Sequence, residues 1–170
     1  MAEESEDLLY TIVEEVLDLF PASLNLTGPS DEQLPDIVNV LTKVAICANM
    51  WAVHEFGGRL GPSRGNALVE QIVAAAFQTF GGQDPHPHPF QKAAMLLRGI
   101  TQGHPFTDGN KRTGFLVAMC FLERAGYPAP EAGLPTKDVV EFCRRVSAGE
   151  IREIDDMARI LAVFWKQPFP

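Results

Sequence analysis

The sequence predicts an all-α bundle of about six to eight helices carrying one short β-hairpin flap. Two patterns lead there: apolar residues recur at three- and four-residue steps through most of the chain, and the alternation of a half-buried strand is almost absent. Size is the third observation. The 170 residues are 46% hydrophobic and 21% charged, enough for one domain with a full apolar core.

Leu9, Ile12, Val13, Val16 and Phe20 share one face of a helix from about Asp7 to Phe20, ended by Pro21. Ala22 to Glu32 has the composition of a loop, and Ser30 to Pro35 reads as a helix start. Residues 1–29 are therefore expected to form an N-terminal helical extension to a main domain of residues 30–170. From Pro35 to about His54, Ile37, Leu41, Val44, Ala48 and Trp51 stripe a long core helix. Phe56 to Gly65 then holds four glycines and a proline, which suits a protruding flap whose residues Gly57, Gly58, Arg59, Leu60 and Gly61 touch a ligand.

Leu68, Ile72, Val73, Ala76 and Phe77 predict the next helix, and Phe90, Ala93, Ala94, Leu97 and Ile100 one that runs out at Gly103. Between them His86 and His88 alternate with prolines in what reads as a solvated loop, not a zinc site, because no further Cys or His stands nearby. A helix from Gly109 or Asn110 to Gly126 turns Phe115, Leu116, Met119, Cys120 and Leu122 inward. Thr136 is expected to cap Asp138 to Val146, and Ile151, Ile154, Met157, Leu161 and Trp165 stripe a last helix from Glu150.

Fourteen Lys and Arg stand against 22 Asp and Glu, a net charge of −8, so the chain is not expected to bind DNA by bulk charge. Its three cysteines form no C-x-x-C pair and fit a reducing compartment. The start is acidic, and no apolar run approaches the roughly 18 residues of a bilayer span, so a cytoplasmic protein away from membranes is expected.

Chemistry concentrates in His104-Pro105-Phe106-Thr107-Asp108-Gly109-Asn110-Lys111-Arg112-Thr113-Gly114. Lys111 and Arg112 fall in a helix's first turn, where cations oppose the macrodipole by up to about 1 kcal/mol each. A bound anion reverses that sign, so the economical reading is a phosphate cradle of Gly109 and Asn110 amides neutralised by the two cations. The spacing is not that of a P-loop, and no G-x-G-x-x-G occurs. Asp108 would hold Mg²⁺ between itself and phosphate oxygens, and the imidazole of His104 would act as general base.

His104 to Arg112 resembles the signature of the Fic/Doc superfamily, His-Pro-Phe-x-(Asp/Glu)-(Gly/Ala)-Asn-(Gly/Lys)-Arg, at every defined position. His54-Glu55-Phe56-Gly57-Gly58, with Gly61 and Leu68, resembles the flap region of its Doc branch. The resemblance covers about Pro35 to Gly126 and implies an all-α fold in which His104 activates a hydroxyl of a target protein to attack ATP. It further implies Asp108 as the Mg²⁺ ligand, Gly109 and Asn110 as the anion hole, Arg112 on the phosphates, Phe106 as a buried anchor, and a flap that holds the target in extended form.

Adenylyltransferases of the family usually carry Gly where this chain has Lys111 and a second Arg where it has Phe115. Both departures resemble Doc, whose lysine goes with a nucleotide orientation that presents the γ-phosphate. The implied protein is a kinase-like toxin of a toxin–antitoxin pair, with an antitoxin partner and a target such as a translation factor. The alternatives are adenylyl transfer (AMPylation) by the same His104, favoured by Gly109, and nucleotide binding without turnover. The family's inhibitory (Ser/Thr)-x-x-x-Glu-(Gly/Asn) motif is incomplete, since Val16 follows Thr11 to Glu15. The apolar face of Asp7 to Phe20 suits a partner helix or a homodimer.

Overall fold

A computed structural model describes residues 18, 20–21, 23–28, 31–61, 63 and 65–170. After a 3-10 turn, Asp31–Gln33, six helices follow: α1 Leu34–Phe56, α2 Ala67–Phe77, α3 Pro89–Gly103, α4 Asn110–Arg124, α5 Thr136–Ser147 and α6 Ile154–Phe164. The expected helix from Asp7 lies almost wholly outside the described residues, but Phe20 and Leu26 are buried in the core. Arg124 Nη2 donates to the Phe20 and Pro21 carbonyls at 3.4 and 3.5 Å, tying this segment to the end of α4.

The hub is α3, which packs against α2, α4, α5 and α6. Its Phe90, Leu96, Leu97 and Ile100 are fully buried, as are Val117, Phe121 and Leu122 of α4. Aromatic edges complete the interior, with Phe77 against Phe121 at 5.8 Å and Phe90 against Tyr127 at 5.0 Å. Helices α3 and α4 approach closely because Gly114 has no side chain: a Cβ there would lie 3.0 Å from the Leu97 carbonyl oxygen and 3.0 Å from Thr101 Cγ2. That contact sets the end of α3 beside the start of α4, and the signature loop joins them.

Several expectations need correction. The flap is not a hairpin: among the described residues there is no strand, only an isolated bridge between Phe80 and Gln83. Positive φ at Gly57, Gly58, Gly61 and Gly65 bends the segment out of extended form, and its bonding groups pair with the signature loop instead of a return arm. Thr136 is the first residue of α5 and not its cap, which is Pro135. The last helix begins at Ile154 and not at Glu150, because Glu153 just before it is extended, with ψ 134°. His86 and His88 are half-buried, and His88 Nδ1 caps α3 by accepting from the Phe90 N–H at 3.3 Å. His54 is exposed and pairs with Glu55 at 3.0 Å.

A window within Asp31–Phe56 reaches a mean hydropathy of 1.3, so this one helix is long and apolar enough to cross a membrane, contrary to the reading of short apolar runs. More than half of that window is buried against the other helices, as a core helix requires.

Candidate functional site

The signature loop begins where α3 ends in a left-handed turn at His104, φ 48°, a conformation that costs a non-glycine residue about 1 kcal/mol. The turn sends the chain across the bundle and leaves the His104 side chain exposed. Phe106 then plunges to 2% exposure and fixes the loop from below. Its N–H donates to Asn110 Oδ1 at 3.0 Å, and Asn110 Nδ2 donates to its carbonyl at 2.8 Å. The Asn110 side chain is thus committed to the loop, leaving its backbone N–H as the group to face an anion.

Gly109 starts α4 with φ 79° and no side-chain cap, so the first-turn amides face outward without a side-chain acceptor. Lys111 and Arg112 are exposed on that turn, and the Arg112 guanidinium lies 4.2 Å from the ring centroid of Phe56 at the end of α1. Asp108 keeps its carboxylate partly in solvent, at 45% exposure. His104, Asp108, Gly109, Asn110, Lys111 and Arg112 therefore lie along one loop and the helix start it feeds.

Above them runs the flap. The Arg59 N–H donates to Asp108 Oδ2 at 2.8 Å, the Thr107 N–H to the Gly61 carbonyl at 3.0 Å, and the Ser63 N–H to the Pro105 carbonyl at 2.8 Å. Ser63 Oγ adds bonds to the His104 and Pro105 carbonyls, both at 3.1 Å. Gly57 and Leu60 are exposed, and no Cβ fits at Gly58, where one would lie 2.9 Å from Asp108 Cβ.

Sequence reasoning missed Asn49, Ser63, Thr113 and the Phe56 platform. Asn49 of α1 is 1% exposed, and its amide donates to the Asp108 carbonyl at 2.8 Å and to Thr113 Oγ1 at 3.2 Å. The signal available was a polar residue inside an otherwise apolar run, Ala48-Asn49-Met50-Trp51-Ala52-Val53. A separate cleft of about 480 Å³ lies between His88, Tyr127, Asp155 and Phe169, and none of its lining residues belongs to the signature loop. Among the described residues no three His, Cys, Asp or Glu side chains gather as a metal cage. Asp108 offers one carboxylate, which suits an ion that takes its other ligands from phosphate and water.

Residues 40–122 match the model of the Fic/DOC family. The chain is 39% identical over 71 residues to "Toxin Doc" of Mycolicibacterium smegmatis, an alignment covering 42% of this chain and 54% of that one. It is 36% identical over 66 residues to "Protein adenylyltransferase Fic" of Nematostella vectensis, covering 38% and 16%, and 49% identical over 41 residues to the protein of that name in Aedes aegypti, covering 24% and 8%. The chain thus spans about half the length of the first relative and a small part of the other two. No solved structure matches it.

Proposed function

Residues 40–122 make this chain a member of the Fic/Doc family, and from that membership we propose a protein-modifying transferase that moves the γ-phosphate of ATP to a Ser or Thr hydroxyl of a target protein. The observation that carries the choice of phosphate is position 115. Phe115 turns its ring to Trp165 at 6.2 Å and is half-buried, so the place of the second arginine of family adenylyltransferases offers no cation. Lys111, exposed on the first turn of α4, supplies positive charge nearer the loop.

In this reading His104 takes the proton of the acceptor hydroxyl as its oxygen forms the new bond to the γ-phosphorus. The bond from that phosphorus to the bridging oxygen breaks, and ADP leaves. The amides at Gly109 and Asn110 hold the phosphate chain, and Lys111 and Arg112 neutralise it. Mg²⁺ held by Asp108 and the phosphates would offset charge building on the leaving group. The flap residues Gly57 to Gly61 receive the target segment, and residues 30–170 form the catalytic unit.

The same reading makes the chain a cytoplasmic toxin controlled by an antitoxin-like protein, with a translation factor as the kind of target and no DNA or membrane in its work; the relative named Toxin Doc supports it. Adenylyl transfer by His104 is the second reading, favoured by Gly109 and by the relatives named protein adenylyltransferase. Intact-mass analysis of lysate proteins after incubation with ATP and Mg²⁺ separates the two: phosphoryl adducts absent with His104→Ala are expected, and adenylyl adducts overturn the first reading.

A further inference from the structure

We propose that Asn49 is a positioning residue for the phosphate cradle. The inference rests on the nucleotide-binding reading of the loop and adds a residue that lies outside the signature, 59 positions before Asp108. A side chain at 1% exposure must satisfy its polar atoms internally, and both hydrogens of the Asn49 amide are spent. One goes to the Asp108 carbonyl at 2.8 Å and the other to Thr113 Oγ1 at 3.2 Å. These two acceptors flank Gly109, so a single amide on α1 clamps the last residue of the loop to the first turn of α4.

The clamp fits closely around the glycine. A Cβ on Gly109 would lie 3.3 Å from Asn49 Nδ2, so the amide fills the space that a side chain there would take. Released from Asn49, the Asp108–Gly109 peptide is free to rotate. Rotation turns the Gly109 N–H away from the anion position that it shares with the Asn110 N–H and shifts the root of the Asp108 carboxylate. Asn49 therefore acts through Asp108 and Gly109, with no hydrogen left for a substrate.

The test compares Asn49→Leu, which keeps bulk, Asn49→Ser, which keeps polarity without reach, and Thr113→Val, which removes the second bond alone. Calorimetric titration with ATP and Mg²⁺ is expected to weaken on the order of tenfold in both Asn49 variants and within about threefold in Thr113→Val. Amide exchange across residues 108–111 is expected to quicken on the order of tenfold in the same two variants while circular dichroism keeps the native helix content. If one Asn49 variant does not fold, the other carries the same expectation. Unchanged affinity and unchanged loop exchange in a folded Asn49 variant overturn the proposal. A wild type that binds ATP and labels no protein sinks the proposed reaction instead, and one that binds no ATP sinks the cradle reading; in both cases the exchange result still decides whether Asn49 holds the loop.

Discussion

The Arg59 N–H sits 2.8 Å from Asp108 Oδ2, and the Arg59 Nε stands 4.0 Å from the same oxygen. The flap is therefore seated on the carboxylate proposed to hold Mg²⁺. Two further backbone bonds, from Thr107 to Gly61 and from Ser63 to Pro105, lay the flap along the loop that it overhangs. This edge of the flap is taken up by the protein's own backbone bonds, so a target segment that pairs with the flap would use the opposite edge.

Gly58→Ala tests that seat. The added Cβ would meet Asp108 Cβ at 2.9 Å, at a φ of 131° that side chains rarely adopt. Loss of the Arg59–Asp108 bond with the backbone strain is expected to cost about 1–2 kcal/mol. Denaturant midpoints and faster exchange of the Arg59 amide check it, and an unchanged Arg59 amide would show that the flap does not depend on this approach.

The start of α3 makes stability depend on pH. His88 Nδ1 accepts the Phe90 N–H, which only the neutral ring can do. Burial holds both His88 and His86 below the usual 6.5. The unfolded chain therefore binds protons first as pH falls, so this stability is complete above about 6.5 and is lost as pH descends toward the lowered native values. His88→Ala is expected to cost about 1 kcal/mol at neutral pH. His88→Asn keeps an acceptor, so its stability should fall less between about pH 7.5 and about pH 5.5 than that of wild type. Equal slopes in urea melts would place the effect elsewhere.

Lys92 of α3 is wholly buried and bonds to Asp84 and, at 3.4 Å, to the Ala76 carbonyl, with Phe77 beneath its ammonium at 5.2 Å. Asp84 retains 23% side-chain exposure, so its two partners are not equivalent. Asp84→Asn strands a buried cation and is expected to cost about 3 kcal/mol, whereas Lys92→Met leaves a carboxylate that still reaches water and should cost less. Thermal and denaturant unfolding give the order, and a reversed order contradicts this view of the pair.

What the sequence revealed depended on how local each feature is. The stripes at Ile37, Leu41, Val44 and Ala48 and at Leu97 and Ile100 point inward in the structure because helical periodicity is a property of neighbouring residues. The loop from His104 to Arg112 was legible for the same reason, as its parts are contiguous. The flap was misread because its hydrogen-bonding partner is the signature loop, more than forty residues away, and glycine content says only that the chain bends. Asn49 was missed because an amide inside an apolar helix does not disclose what it reaches. The prolines around His88 suggested solvent and hid the cap.

The central claim is γ-phosphate transfer by His104. The most direct measurement is label transfer to lysate proteins from ATP carrying its tracer in either the α or the γ phosphate, with Mg²⁺, in wild type and His104→Ala. Label from the γ position alone, abolished in the variant, is the predicted result. Label from the α position, or γ label that survives loss of His104, would contradict it.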